Sequence, residues 1–178
     1  QEAIDSAMAC NVDFSRFDDG NGVPLVIIYY AGPGEHSSYE EGCEDYIWAH
    51  FSERTFKAGD ISISSYFVGN ESLQSYQLDE HDNIVPIAAA FDGMGVFVHE
   101  FGHALGLPDF YYTGNSSMTA QKIKSPDLWS IMDYGQYMYD GYAPIGYSAY
   151  ERAMMGWQKF AEPSIPGYYE LYAFHDKA

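Results

Sequence analysis

His99, Glu100 and His103 stand in the order His-Glu-x-x-His. On an α-helix, residues four apart lie one above the other on one face, so two imidazoles spaced like this can grip a single metal ion. Glu100 falls about 100° round the axis from His99. It can flank the ion without ligating it, which suits a general base acting on water activated by the metal. Asp109 comes six residues after His103. In an unbroken helix it would lie about 240° round and roughly 9 Å along, out of reach. The helix must therefore stop for that carboxylate to return. Gly106 suits the left-handed conformation that ends helices, and Pro108 disfavours helix at Leu107. Two histidines, a stop signal and a returning carboxylate give three ligands and a fourth position open to water, the layout of a catalytic zinc rather than a closed structural one.

These side chains need a helix from about Met94 to Leu105, with Val96, Phe97, Phe101, Ala104 and Leu105 available for packing. Gly102 inside it costs about 1 kcal/mol relative to Ala, which implies close approach by a neighbouring element. Upstream, the apolar run Leu25–Tyr30 between Pro24 and Gly32 reads as a central strand buried on both faces. Ile61–Val68 begins with the alternation of a half-exposed strand, and a sheet edge beside the site could bind an extended peptide by strand addition. Tyr46–Glu53 is a short helix or an extended piece. Leu73–Asn83 is polar and poorly patterned, and Ile87–Phe91 is apolar. Glu2–Cys10 and Tyr147–Met155 have helical spacing. Tyr168–Phe174 alternates weakly, like the opening of a β module.

The chain has 178 residues, a hydrophobic fraction of 47% and room for one core. Asp and Glu number 26 against 8 Lys and Arg, for a formal charge of −18. Phosphate backbones are repelled by such a surface, which argues against nucleic acid as a partner. No apolar run is long enough to span a bilayer. The abrupt start at Gln1 suggests that a leader or pro-segment precedes the chain. Cys10 and Cys43 either form one disulfide, as a secreted protein permits, or stay as thiols. Asp13, Asp18, Asp19 and Asn21 offer oxygens for calcium, without the full spacing of an EF-hand loop. Asn70-Glu71-Ser72 and Asn115-Ser116-Ser117 match the glycosylation pattern.

His99-Glu100-x-x-His103-x-x-Gly106-x-x-Asp109, followed by Ser130-Ile131-Met132-Asp133-Tyr134, resembles the metzincin clan of zinc endopeptidases, with Asp109 in place of the usual third histidine. Within that clan the chain is most similar to the immune inhibitor A-type secreted bacterial metallopeptidases. Val12-Asp13-Phe14-Ser15, Ile28-Tyr29-Tyr30-Ala31-Gly32, Ile47-Trp48-Ala49-His50, Leu107-Pro108-Asp109 and Tyr147-Ser148-Ala149-Tyr150-Glu151 carry the likeness. Ala49 departs from it, standing where proline is expected. The resemblance implies an α+β, metzincin-like catalytic domain over residues 1–160, with a twisted mixed sheet and the active-site helix in an upper part, 1–106. A smaller irregular lower part would span 107–160, and 161–178 would begin a following β module or tail. It also implies a turn at Met132 forming an apolar floor under the metal, and a Tyr134 hydroxyl near the ion as ligand or oxyanion donor.

The expected function is a secreted, zinc-dependent endopeptidase acting on protein or peptide substrates, outside a bacterial cell. His99, His103 and Asp109 hold Zn²⁺, Glu100 is the base, and Ca²⁺ is an added structural ion. Glu151, on a downstream helix, is the rival third ligand. The alternative function is a secreted binding or adhesive module with a structural metal and no peptidase activity.

Overall fold

A computed structural model of the chain describes residues 1–38, 43–114, 124–160 and 163–170, and omits the side chains of 74–76, 84 and 86–89. Asn115-Ser116-Ser117 and residues 171–178 lie outside the described residues, and no strand is assigned over 168–170.

The fold is mixed α and β. Helix α1 (Glu2–Ala9) is followed by strands β1 (Val26–Pro33), β2 (His50–Ser52), β3 (Phe56–Ala58), β4 (Ile61–Ile63), β5 (Tyr66–Leu78) and β6 (Ile84–Phe91), then helices α2 (Gly95–Ala104) and α3 (Ala149–Met154). The long β5 organises the main sheet. It pairs parallel with β1, antiparallel with β2 and antiparallel with β6. Strands β3 and β4 form a separate ribbon.

Three expectations change here. The apolar run in β1 is not buried on both faces. Ile27 and Tyr29 are 45% and 55% exposed, and among the described residues β1 pairs with β5 alone, so it edges the sheet. Apolar content without alternation cannot distinguish one covered face from two. The Ile61–Val68 stretch is two strands rather than one. Ser64 and Ser65 break it, and Ser65 Oγ donates to the Pro24 carbonyl at 2.7 Å. The polar stretch after Leu73 continues β5 and turns into β6. Asp79 closes that turn by accepting from the backbone of His81 and Asn83. Tyr46–Glu53 resolves as extended backbone leading through β2.

Two apolar clusters hold the chain. Ile4, Phe14, Val23, Ala58 and Ile63 seat α1 on the β3–β4 ribbon. Leu107, Ile131 and Met132 form the second, with Val98, Phe110, Ile145, Tyr147 and Met155 packed round them. Each fully buried Leu, Ile or Met contributes about 1.5–3 kcal/mol. On the sheet side of α2, Tyr29, Phe67, Phe97 and Phe101 form a chain of ring contacts with centroids 5.5–5.9 Å apart.

Several weaker sequence signals are also decided. Asn70 is 2% exposed in β5, and its amide donates to Ser72 O and Asp92, so it offers no glycosylation site. Cys10 is exposed, and the Cys43 thiol donates to the Ser38 carbonyl; the two are not bridged. In the acidic loop, Asp18 accepts from Gly20 and Gly22 and Asp19 from Asn21, all backbone N–H groups of the loop itself. Those carboxylates cap their own turn, and the calcium expectation gains no support.

Candidate metal centre

Helix α2 ends as its sequence requires. Gly106 has φ +92°, Gly106 N–H donates to His103 O, and Leu107 N–H donates back to Gly102 O. This pair of bonds is a Schellman ending, which needs a left-handed residue and so favours glycine. The chain then doubles back and brings Asp109 under the helix. Gly102 is explained as well. A methyl group there would overlap Met132 Sδ, so the glycine admits the turn that packs beneath.

His99 is 2% exposed. Its Nδ1 lies 2.8 Å from the Ile131 carbonyl, and His103 Nδ1 lies 2.8 Å from the Leu107 carbonyl. A carbonyl only accepts, so both Nδ1 atoms carry the proton and both Nε2 atoms are left as lone-pair donors to a cation. Both Nε2 atoms lie 3.2 Å from Asp109 Oδ1, a buried oxygen that receives no hydrogen bond. Two ring lone pairs and a carboxylate oxygen therefore converge with no proton between them. Zinc–ligand bonds of about 2.0 Å at tetrahedral angles put ligand atoms about 3.3 Å apart, so the donor set fits zinc.

Glu100 also brings a carboxylate oxygen within 4.8 Å of the two histidines' ligand atoms. Asp109 Oδ1 is equidistant from both rings and receives no hydrogen bond, whereas Glu100 Oε2 accepts from Phe51 N–H at 2.7 Å. Burial pushes the Glu100 carboxyl above the ordinary carboxylate range, against the pull of His99 and of the Phe51 N–H. Glu151, the rival ligand, is fully buried elsewhere. Its Oε1 accepts from Ser130 Oγ at 2.5 Å and Met132 N–H at 3.2 Å, and its Oε2 from Ser148 N–H.

Residues 130–133 form a tight turn with every side chain at most 1% exposed. Tyr134, next along, is 58% exposed, and its ring lies 6.3 Å from that of Tyr137. Tyr111 was not singled out from sequence. Its ring stacks on His99 at 6.3 Å and 20°, and burial, then the neighbouring Asp109 carboxylate, raises its hydroxyl well above the usual tyrosine range. Tyr111, Trp48, Tyr134 and Tyr137, with Asp133 and Gln136, line a cavity of about 230 Å³ beside the triad. A larger, open groove of about 570 Å³ runs past Phe51, Ser52, His103 and Pro108. Another cavity, about 690 Å³ between Tyr29, Phe67, Phe97 and Tyr142, contains none of the triad. His50 takes a packing role, bonded to Trp48 O and the Tyr66 hydroxyl.

Residues 10–159 match the sequence model of the immune inhibitor A peptidase M6 catalytic domain. The chain belongs to this peptidase family. It is 28% identical over 157 residues to Immune inhibitor A of Bacillus thuringiensis subsp. alesti, covering 76% of this chain and 20% of that protein. It is 28% identical over 192 residues to the Pre-pro-metalloprotease PrtV of Vibrio cholerae serotype O1 (strain M66-2), covering 94% of this chain and 18% of that protein. The chain thus spans about a fifth of the length of these relatives. A metallopeptidase family implies a metal, and the convergent donors of this M6 chain suit one. The family match favours peptidase over binding module. Among the described residues no helix is long and apolar enough to cross a membrane.

Proposed function

We propose that this chain is the catalytic unit of a secreted zinc endopeptidase that hydrolyses peptide bonds in proteins or peptides. The observation that carries this is the meeting of His99 Nε2, His103 Nε2 and Asp109 Oδ1, each pair of nitrogen and oxygen 3.2 Å apart with both remaining ring nitrogens engaged. His99, His103 and Asp109 would hold the ion. When bound, zinc supplies a Lewis acid that makes water a nucleophile near neutral pH and polarises the peptide carbonyl.

The chain's own groups do the rest. Glu100 takes the proton from the attacking water and passes it to the leaving amine. The Phe51 N–H keeps its carboxylate turned toward the rings. Met132 forms the apolar floor below them. Tyr134 faces the cavity beside the triad, where its hydroxyl is available to the oxyanion. That cavity takes a substrate side chain, and β2 offers an edge for the substrate backbone. Residues 1–106 and 107–160 act as upper and lower walls of the cleft.

Peptide hydrolysis should vanish with a chelator and return with zinc. Glu100→Gln should bind zinc with the parent's stoichiometry yet turn over roughly 10²–10⁴-fold more slowly. Undiminished hydrolysis by that variant removes Glu100 from the mechanism.

A further inference from the structure

Glu151 is a buried carboxylate that the proposed reaction does not use. It lies in α3, 19 residues after Met132 and 48 after His103 in a part of the chain that supplies no ligand. Burying a carboxylate is costly unless its oxygens find donors, and here they do. One oxygen takes the Ser130 hydroxyl at 2.5 Å and the Met132 N–H at 3.2 Å; the other takes the Ser148 N–H as half of a capping box. The first two bonds end on either side of Ile131. Ile131 is fully buried, and its carbonyl accepts the Nδ1 proton of His99 at 2.8 Å. The Met132 carbonyl in turn accepts from Phe110 N–H at 2.9 Å, one residue past Asp109. The same short turn therefore aims one ligand ring and anchors the backbone beside a second ligand.

We propose that Glu151 is a positioning residue for the metal site: it clamps the 130–132 turn, and through that turn it orients His99 and Asp109. Its link to the helix cap joins the order of α3 to the ligand geometry. Outer contacts that orient ligands are typically worth about 10–100-fold in metal affinity. The clamp rests on the zinc reading of the triad, so the parent chain must first bind one zinc per chain by titration; a parent without zinc defeats that reading and not the clamp alone.

The test compares three variants of the whole chain, Glu151→Gln, Ser130→Ala and Ser148→Ala. The amide of Glu151→Gln must turn a donor toward one of the N–H groups the carboxylate now receives. It should weaken zinc binding by about 10-fold or more. It should also move the visible absorption of the cobalt(II)-loaded protein, which reports ligand geometry. Ser130→Ala removes the hydroxyl's bond to Glu151 and the bond at 3.1 Å that the same hydroxyl accepts from Met132 N–H, and it leaves the carboxylate in place with its own Met132 N–H bond; it should change both readouts in the same direction by less. Ser148→Ala deletes the hydroxyl half of the helix cap and keeps the bond from its backbone to Glu151. It should lower the melting temperature and leave zinc affinity and the cobalt spectrum as in the parent. If Glu151→Gln folds and matches the parent in both readouts, the clamp is overturned. If Glu151→Gln does not fold, Ser130→Ala decides: unchanged affinity and spectrum overturn the proposal, and a weakened site supports it.

Discussion

The stretch from Val26 to Ala104 and the stretch from Gly106 to Met155 meet at the triad and hold it by different means. The first is built of strands and a helix, its backbone bonded in ladders, and it leaves much apolar surface open: Phe91 is 73% exposed and Met94 61%. Among its described residues the second has little regular structure before α3. Its cohesion comes from side chains bonded to backbone, as when Asp133 accepts from Asp127 N–H and Tyr134 N–H, and residues 130–133 are almost wholly buried. Their duties at the site divide in the same way. Both imidazoles grow from the helix, but carbonyls of the irregular stretch, Ile131 and Leu107, aim them. Glu100 is aimed instead by a strand, through Phe51. On the proposed reading, ligand orientation is set from one side and base orientation from the other, and the two can be disturbed separately.

The largest effect should come from the irregular side. Asp109→Ala removes the third donor and should cost more zinc affinity than the roughly 10–100-fold of an outer contact, read by competition with a chromophoric chelator. Full occupancy in that variant would return the third-ligand role to another carboxylate and erase the division described above. A middle-sized effect should appear where the two stretches touch. Gly102→Ala gains about 1 kcal/mol of helix propensity but forces a methyl onto Met132, and overpacking of this kind costs about 1–3 kcal/mol. A net loss of roughly 1 kcal/mol in urea unfolding is expected; a more stable variant would show that helix and turn are less closely packed than drawn.

The smallest effect belongs to the sheet side. His36 lies 3.8 Å from Asp92, and burial lowers its pKa from 6.5 despite the carboxylate's opposing pull. The folded state therefore resists a proton that the unfolded chain accepts. This contribution to stability is complete above pH 6.5 and is lost as the pH falls through the lowered folded value. Asp92 has the opposite sign: burial raises its pKa, so its share is complete below the ordinary carboxylate value of 3.8 and is lost as the pH rises through its folded value. Melting temperature should thus decline from pH 6.5 downward more steeply in the parent than in His36→Asn. Equal slopes would mean that His36 does not sense its burial, while zinc binding at neutral pH should be the same in both.

What could be read in advance follows from rigidity. A helix fixes the angle between His99 and His103 whatever surrounds it, and Gly106 with Pro108 fixes where it ends, so the return of Asp109 was legible. The groups that aim the side chains were not. Ile131 O, Leu107 O and Phe51 N–H are backbone atoms, and any residue type supplies them. Glu151 stood out as a carboxylate on a helical face, yet its partners Ser130 and Met132 lie 21 and 19 residues away, a separation that no local pattern encodes. The exposure of Ile27 and Tyr29 was hidden because an apolar strand looks the same whether one face or two are covered. Leu73–Leu78 was obscured for the opposite reason, since a polar strand on an edge hairpin carries no apolar signature.

The bond from Phe51 N–H to Glu100 has one more consequence. Phe51 pairs with Phe67 across the ladder, yet its own N–H points away from β5, toward the open rim of the sheet. A guest chain laid along that rim would ask for the same proton, and one donor cannot serve two acceptors at full strength. On the proposed reading of Glu100 as the base, arrival of such a guest would loosen the hold on its carboxylate.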